Sequence, residues 1–205
     1  ELEENLVFLR PLGLRLMAAW RNEREQANYC YVPSTWAENI VEQAEKDGLR
    51  LSYHTPYRLN IHRDEFCKLA WQTIQTVNPN INLPALAQPF SDCDEDIVRQ
   101  IAALGIVTGY EDGTFQPTRE LSRQEATVIL QRLYTVLYGK IEASPTLYAD
   151  NGSIGVWAKD SVYAMRQTGI MQGVGANRFE PKNGYTCEQS IITMLRMTEI
   201  KPMNN

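Results

Sequence analysis

The sequence predicts a mainly α-helical fold in which three helix-loop-helix repeats pack as a pseudo-threefold bundle. Three observations support this fold. Each of three segments begins with an amphipathic helix that ends at a glycine followed by an apolar residue. A loop rich in turn residues follows, and a second amphipathic helix closes each segment. One such unit cannot bury its apolar face alone, so three are expected to pack together.

The first helix of each repeat is predicted from its apolar spacing and its terminal glycine. The predicted spans are Trp36 to Gly48, Cys93 to Gly105, and Trp157 to Gly169. A glycine directly after a helix is a natural stop because it adopts positive φ without strain. The apolar stripes predicted to face the core are Trp36, Ile40 and Ala44 in the first helix, Ile97 and Ile101 in the second, and Trp157, Ser161 and Met165 in the third.

The loops of the second and third repeats share one pattern, in which a glycine, a phenylalanine and a proline hold matching places. These residues are Gly109, Phe115 and Pro117 in the second repeat, and Gly173, Phe179 and Pro181 in the third. The phenylalanine is predicted to anchor its loop in the core. The first repeat has only a degenerate loop over residues 52–60, where Tyr57 is predicted to take that role.

The second helices begin at capping boxes. Ser122 with Glu125 and Thr186 with Gln189 have the required spacing, whereas the first repeat keeps Glu65 but has no hydroxyl residue before it. The predicted core positions that follow are Phe66, Leu69, Ala70 and Thr73, then Ala126, Ile129, Leu130 and Leu133, then Ile191, Met194 and Leu195. Glu65 and Glu125 are therefore interpreted as capping residues and not as catalytic acids.

These landmarks divide the chain into four segments. Residues 1–32 form an N-terminal segment of unassigned role, with a helix predicted near residues 12–26. The repeats are predicted at 33–78, 88–138 and 146–200, joined by linkers that are rich in proline and polar residues.

Composition excludes several classes of function. The chain has 205 residues, 43% of them hydrophobic, which is typical of a soluble globular protein. A net charge of −5 disfavours nucleic acid as the partner, because phosphate binding needs a concentrated basic face. No apolar run approaches the ~18–20 residues of a membrane span, and no signal peptide is apparent.

No metal or cofactor is predicted. The four cysteines contain no C-x-x-C pair, which argues against zinc, and Cys67 is predicted to be buried on the apolar side of its helix. Asp92, Asp94 and Asp96 have the spacing of a calcium loop, but Ile97 stands where that loop needs glycine.

No enzyme is predicted either. The chain has two histidines and lacks a nucleophile elbow, an H-E-x-x-H motif and a P-loop. A pair of carboxylates in one cleft, as a glycosidase requires, is left open by the sequence.

The combined landmarks resemble the S-layer homology family, and the second repeat resembles it most closely. That repeat has the motifs Phe90-Ser91-Asp92, Gly105-Ile106-Val107-Thr108-Gly109, Asp112-Gly113-Thr114-Phe115-Gln116-Pro117 and Ser122-Arg123-Gln124-Glu125. The third repeat keeps Tyr148-Ala149-Asp150, Trp157 and the Gly169–Gly173 motif, but Cys187 replaces the arginine. The first keeps Trp36, Gly48 and Ile61-His62-Arg63-Asp64-Glu65.

The resemblance implies a non-catalytic module that anchors a protein to a bacterial cell wall or surface layer, outside the cell. The implied partner is a secondary wall polysaccharide, an amino-sugar polymer that often carries pyruvate ketals, bound in grooves between repeats. Other surface-layer proteins are possible partners. The alternative is a structural or self-assembly module whose grooves have degenerated, and a third hypothesis is an enzyme acting on the same polymer.

The candidate glycan-binding residues follow from their chemistry. Arg63 and Arg123 stand in the first turn of a helix, where the dipole disfavours a cation by ~0.3–1 kcal/mol, so a bound anion would account for them. The competing interpretation pairs them with acids such as Asp64 or Glu120. Because Cys187 replaces the third arginine, at most two working grooves are predicted, with Arg123 in the better one.

Further candidates are the two tryptophans, two loop glycines and one aspartate. Trp36 and Trp157 either stack on sugars or anchor the core. Gly109 and Gly173 allow close backbone approach, either to a neighbouring strand or to a ligand. The resemblance also implies that Asp92, in the Phe-Ser-Asp motif, is a candidate glycan-binding residue.

Overall fold

A computed structural model describes residues 29–52 and 55–200 of the chain, and this part is mainly helical. The α-helices are α1 (Glu38–Lys46), α2 (Arg63–Val77), α3 (Asp96–Ala103), α4 (Arg123–Tyr138), α5 (Lys159–Gln167) and α6 (Cys187–Thr198). Short 3-10 helices at Asn151–Ser153 and Val156–Ala158 precede α5. The helix predicted near residues 12–26 lies outside the described residues.

A closed ring of three backbone hydrogen bonds marks the centre of the fold. The amide of Ile61 donates to the carbonyl oxygen of Tyr185 (2.8 Å), that of Leu121 to Ile61 (3.1 Å), and that of Tyr185 to Leu121 (2.9 Å). Each of these buried residues lies two positions before the second helix of its repeat. The ring therefore gives the bundle the pseudo-threefold arrangement that the sequence predicts.

Helix packing also follows this threefold order. The first helix of a repeat packs against the second helix of the preceding repeat: α3 contacts α2, α5 contacts α4, and α1 contacts α6. The last pairing is secured by Ser34, whose amide and hydroxyl both donate to the buried carboxylate of Glu188 at 2.8 Å. The second helix of each repeat is therefore covered by the first helix of the following repeat, so no repeat buries its apolar face alone.

The second helices match their predicted faces. Every predicted core position is buried, from Phe66 in α2 to Leu195 in α6. Capping boxes occur at Ser122 with Glu125 and at Thr186 with Gln189. The structure adds a third at Glu65, where the side chain of His62 takes the place of the missing hydroxyl.

The predicted faces of the first helices were wrong in part. Trp36, Ile40 and Trp157 are exposed and Ile97 is only partly buried, although Ala44, Ile101, Ser161 and Met165 are buried as predicted. The core stripe instead comprises Ala37, Val41 and Ala44 in α1, Val98 and Ile101 in α3, and Ala158, Val162 and Met165 around α5. The reason is that Trp36 and Trp157 precede their α-helices, so the helical period starts one position later than assumed.

The loops confirm two of the three predicted anchors. Phe115 and Phe179 are fully buried, whereas Tyr57 is only partly buried. The amide of Glu188 donates to the carbonyl oxygen of Tyr57, as the amide of Asp64 does to that of Pro117, so Tyr57 holds the place of the proline. The place of the phenylalanine is taken by Thr55, which is buried.

All four cysteines are free thiols. Cys67 is fully buried, as predicted, and Cys93 and Cys187 are also buried.

Candidate functional site

Both helix-start arginines extend into the loop of the following repeat. Arg63 donates through Nε to the carbonyl oxygen of Phe115 at 2.9 Å and through Nη2 to that of Thr108 at 3.0 Å. Arg123 makes the equivalent bonds to Phe179 and Gln172, both at 2.9 Å. The two guanidinium groups also lie over aromatic rings, 4.5 Å from the centroid of Phe115 and 5.1 Å from that of Phe179. They are therefore fixed in place by their own fold.

These arginines are buried cations without a carboxylate partner. Their exposed fractions are 8% for Arg63 and 5% for Arg123. Within the described part of the chain, no acid lies within ion-pair distance of either one. The proposed pairing with Asp64 or Glu120 is thus wrong, because Asp64 pairs with Lys68 (3.0 Å) and Glu120 accepts from Asn60 (2.7 Å).

Burial disfavours the charged form of both arginines. It lowers the pKa of Arg63 and of Arg123 from the ordinary value of arginine. A buried charge is costly unless dipoles or a counter-charge stabilise it. The carbonyl oxygens supply dipoles on one side of each guanidinium group, and an anion on the other side would supply the missing charge.

The first two backbone amides of these helices do not contribute to this site, because each is bonded within the protein. The amides of Arg123 and Gln124 donate to the carbonyl oxygens of Asn183 and Pro181, at 2.9 and 3.0 Å. The amides of Arg63 and Asp64 are bonded in the same way to the loop of the second repeat. Any anion at these places is therefore bound by side chains.

A cavity of about 420 Å³ opens beside Arg123. We call it the large groove. All three repeats contribute to it: Arg123 from the second, Gln172, Gly173 and Arg196 from the third, and Trp36 from the first. Arg196 is held by a hydrogen bond of 3.2 Å from Nη1 to the carbonyl oxygen of Ile170.

A smaller cavity of about 160 Å³, the small groove, lies beside Arg63. Its lining residues occupy the same positions as those of the large groove, but each comes from the preceding repeat in the threefold order. Arg63 comes from the first repeat, Thr108 and Arg132 from the second, and Trp157 from the third. The two grooves are thus equivalent sites in the pseudo-threefold arrangement.

The two tryptophans are lining residues of these grooves and not core anchors. The exposed fractions are 58% for Trp36 and 59% for Trp157, so most of each indole remains in contact with solvent. Each indole borders a groove that contains arginines. An exposed aromatic ring beside a cation provides a flat apolar surface next to an anion-binding group.

Arg132 and Arg196 were missed by the sequence analysis. Each lies nine positions after the first residue of its helix, which puts it on the groove side of α4 or α6. The same offset in the first repeat leads to Gln72, whose amide group bonds to the backbone of Arg50 through both its oxygen (3.0 Å) and its nitrogen (2.7 Å). Comparing the three second helices position by position would have found the pair.

The position between the third and first repeats, which is equivalent to the two grooves by the threefold order, has different side chains. Cys187 stands where the others have arginine, and it is fully buried. Gln72 stands where they have a second arginine, and Cys93 where they have tryptophan. This position therefore lacks both groove cations and the indole.

The remaining predicted site residues have different placements. Gly173 lines the large groove, whereas Gly109 lines neither groove, and a Cβ atom on Gly109 would be 2.6 Å from the ring of Phe90. Asp92 lines neither groove. Its carboxylate oxygens accept from the amides of Phe115 (2.7 Å) and Gln116 (2.8 Å), and Asp150 does the same for Phe179 and Glu180.

The family model of the S-layer homology domain matches residues 91–127 and 152–184. These segments fall within the second and third repeats, and they confirm the resemblance seen in the sequence. The chain carries S-layer homology domains at both segments. In the described residues, no helix is long and apolar enough to cross a membrane.

Several curated proteins are similar to the chain. An S-layer protein of Bacillus thuringiensis subsp. finitimus is 33% identical over 100 residues, which cover 49% of the chain and 12% of that protein. An endoglucanase of Bacillus sp. is 31% identical over 107 residues, covering 50% and 11%. A cellulosome-anchoring protein of Acetivibrio thermocellus is 25% identical over 108 residues, covering 52% and 24%.

The chain thus corresponds to at most about a quarter of the length of these relatives. The S-layer homology domain is a non-catalytic anchoring module that binds cell-wall components. The family and the surface-layer relatives point to the cell surface or cell wall as the location of this chain.

Proposed function

We propose that the chain is a non-catalytic anchoring module that binds an acidic, pyruvylated secondary wall polysaccharide in the large and small grooves. One observation carries the proposal. Arg123 is 5% exposed, has no carboxylate partner among the described residues, and lines a cavity of about 420 Å³. Its Nε and Nη2 atoms are fixed by carbonyl oxygens, so the cation is preorganised for a ligand.

The charge of the large groove favours an anionic ligand. Arg123 and Arg196 line this groove, whereas the small groove is lined by Arg63, Arg132 and the acid Glu125, which pairs with Arg119. Like charges gathered in one cavity are unfavourable unless an anion joins them, and the chain as a whole is acidic, with a net charge of −5. A carboxylate, such as that of a pyruvate ketal, matches the planar donor geometry of a guanidinium group.

The tryptophans favour a sugar as the carrier of that anion. Trp36 presents an exposed indole at the large groove, and Trp157 does so at the small groove. The apolar face of a pyranose ring can pack against such a surface while its polar edge meets the arginines. Small-molecule sites commonly combine an apolar wall with a few fixed polar groups.

Two bound glycan residues per chain are expected, one in each groove. The first repeat, 33–78, belongs to the proposal as the third S-layer homology repeat, supported by its place in the ring of backbone hydrogen bonds. The position between the third and first repeats, where Cys187 and Gln72 replace the arginines, is not expected to bind. A calorimetric stoichiometry of three would contradict this assignment.

The test compares groove variants with matched surface variants. Trp36→Ala and Arg196→Gln remove large-groove side chains, whereas Leu147→Ala and Arg178→Gln change exposed side chains outside both grooves. Calorimetry with a pyruvylated fragment of the wall polymer should show about tenfold or greater weakening at the large groove for the first pair only. Unchanged affinity in both groove variants would overturn the site.

The absence of catalysis is part of the proposal. The endoglucanase relative matches the chain over 11% of its own length, which is consistent with an anchoring module joined to a separate enzyme. Incubation of the chain with the wall polymer should release no new reducing ends. Release that persists in a highly purified preparation would favour the enzyme hypothesis.

A second candidate function is self-assembly through degenerate grooves. The presence of Cys187 where the other two helices have arginine favours it, because one inter-repeat position then lacks the cation that binding would need. Light scattering over a range of protein concentrations separates the two candidates. The anchoring proposal expects glycan binding, whereas an oligomer that forms with concentration and does not bind glycan would support self-assembly.

A further inference from the structure

A second cavity adjoins the large groove. This cavity, of about 330 Å³, is lined by Tyr148, Arg166, Gln172, Gly173, Gly175 and Asn177, and we call it the side pocket. It shares Gln172 and Gly173 with the large groove. The two cavities thus meet across one short stretch of backbone. Its volume lies at the lower end of the ~300–1,000 Å³ range of small-molecule sites.

Tyr148 gives the side pocket an unsatisfied polar group. Its side chain is 4% exposed, and its hydroxyl has no hydrogen-bond partner within the described residues. Its ring packs 5.5 Å from that of Phe179 and approaches Gly173, where a Cβ atom would lie 3.1 Å from Cε1 of Tyr148. A buried hydroxyl without a partner is uncommon in folded proteins, because desolvation of the group is not offset.

Arg166 adds a cation to the same pocket. Its guanidinium carbon lies 4.5 Å from the centroid of the Tyr148 ring, and Nη1 lies 3.5 Å from Oδ1 of Asn177. In the described part of the chain it forms no ion pair. Asn177 is itself held by a bond from Nδ2 to the carbonyl oxygen of Leu147, at 3.0 Å. The pocket is therefore lined by a positioned cation and by a tyrosine whose buried hydroxyl has no partner among the described residues.

The second repeat shows that the fold does not need these groups. The residue two positions before the loop-binding aspartate is Tyr148 in the third repeat and Phe90 in the second. Three positions before the helix-terminal glycine, the third repeat has Arg166 and the second has Ala102. Eight positions after that glycine, Asn177 corresponds to Gly113. The second repeat thus lacks this polar set.

We infer that the side pocket is a second subsite, which binds the neighbouring sugar residue of the glycan held in the large groove. Arg166 and the Tyr148 hydroxyl would donate to a carboxylate or hydroxyl oxygen of that residue, and Gln172 and Gly173 would lie beneath the linkage between the two sugars. This inference rests on the proposed function, because it assigns the same polymer to both cavities. It makes this groove selective for a chain of sugars over a single sugar.

Two probes test the inference: a pyruvylated monosaccharide and an oligosaccharide of at least three residues, both derived from the wall polymer. Calorimetry measures their affinities for the full chain and for Tyr148→Phe and Arg166→Gln. Phenylalanine occurs at the matching place in the second repeat, so Tyr148→Phe should fold normally. Arg178→Gln is the control, because Arg178 lies on the same loop but lines neither cavity.

The expected result has two parts. The unchanged chain and the control should bind the oligosaccharide about tenfold more tightly than the monosaccharide at the large groove. Tyr148→Phe and Arg166→Gln should reduce that preference and leave monosaccharide affinity unchanged. Full preference in both variants would overturn the subsite while the proposed function stands. If the unchanged chain binds neither probe, the proposed function fails, and the subsite fails with it.

Discussion

The side chain of Arg123 donates a hydrogen bond of 2.9 Å to the carbonyl oxygen of Phe179, which links the first turn of α4 to the loop of the following repeat. Arg63 is related to Phe115 in the same way. Each arginine therefore joins two repeats and at the same time lines a groove. Fold and site share these residues, so a change at either arginine should affect both stability and binding.

Arg123→Ala should destabilise the protein by about 2–3 kcal/mol, because it removes two charge-assisted hydrogen bonds and leaves the carbonyl oxygens of Phe179 and Gln172 without this donor. Urea unfolding measures the difference. Trp36→Ala is the matched comparison: it removes an exposed groove residue and should leave the free energy of unfolding nearly unchanged. Equal stability of Arg123→Ala and the unchanged chain would contradict the linking role of Arg123.

Single repeats should not fold alone. The ring formed by Ile61, Leu121 and Tyr185 needs all three repeats, and each first helix packs against a second helix from another repeat. A fragment of residues 88–138 should therefore show little helical circular dichroism and no cooperative thermal transition, whereas residues 29–200 should unfold cooperatively. A cooperative transition in the fragment would show that the repeat is an independent unit.

Acid should weaken the loops of the second and third repeats. The hydrogen bond from the amide of Phe115 lowers the pKa of Asp92. Burial acts to raise the pKa of Asp150, but the hydrogen bonds from the amides of Phe179 and Glu180 outweigh it, so the pKa of Asp150 is lowered as well. A carboxyl group whose pKa is lower in the folded state stabilises the protein above its unfolded pKa, near 3.8, and this contribution is lost as pH falls through the folded value.

The measurement is the midpoint of urea unfolding between pH 5 and pH 2. The unchanged chain should lose more stability over this range than an Asp92→Asn/Asp150→Asn double variant, which should be less stable at pH 7 but less dependent on pH. Parallel pH profiles for the two proteins would rule out these carboxylates as the source of acid sensitivity.

Three of the four cysteines should be inert in the folded protein. Burial raises the pKa of Cys67 and Cys93, and raises that of Cys187 to about 12. Because the thiolate is the reactive form, iodoacetamide at pH 8 should modify only Cys30, which is partly exposed. Mass spectrometry after digestion identifies the labelled sites, and unfolding in urea should make all four react. Rapid labelling of Cys187 in the folded state would show that its repeat interface opens.

The sequence predicted those parts of the fold that depend on local signals. Capping boxes and terminal glycines marked the helix ends, and the 3.6-residue period identified the buried faces of α2, α4 and α6. The faces of the first helices were assigned one residue too early, because Trp36 and Trp157 were assumed to lie inside them. A large apolar residue at a helix start is compatible with either a core or an exposed position, and only the packing distinguishes them.

The site was predicted in part for a related reason. The position of Arg123 at a helix start suggested an anion site, but its carbonyl partners, Phe179 and Gln172, lie 56 and 49 positions away in the chain. Long-range pairs of this kind leave no mark in one sequence. Arg196 was missed because a lone arginine on an amphipathic helix resembles a solvated surface residue, and its groove exists only when Trp36 of the first repeat packs beside it.

Binding of the unchanged chain to purified wall polymer can be measured before and after chemical removal of the polymer's pyruvate groups. If the buried arginines bind a carboxylate, the native polymer should bind at a stoichiometry of two sites per chain, and affinity should fall by about tenfold or more after depyruvylation. Equal affinity for the two polymers would show that these grooves do not recognise an anionic glycan.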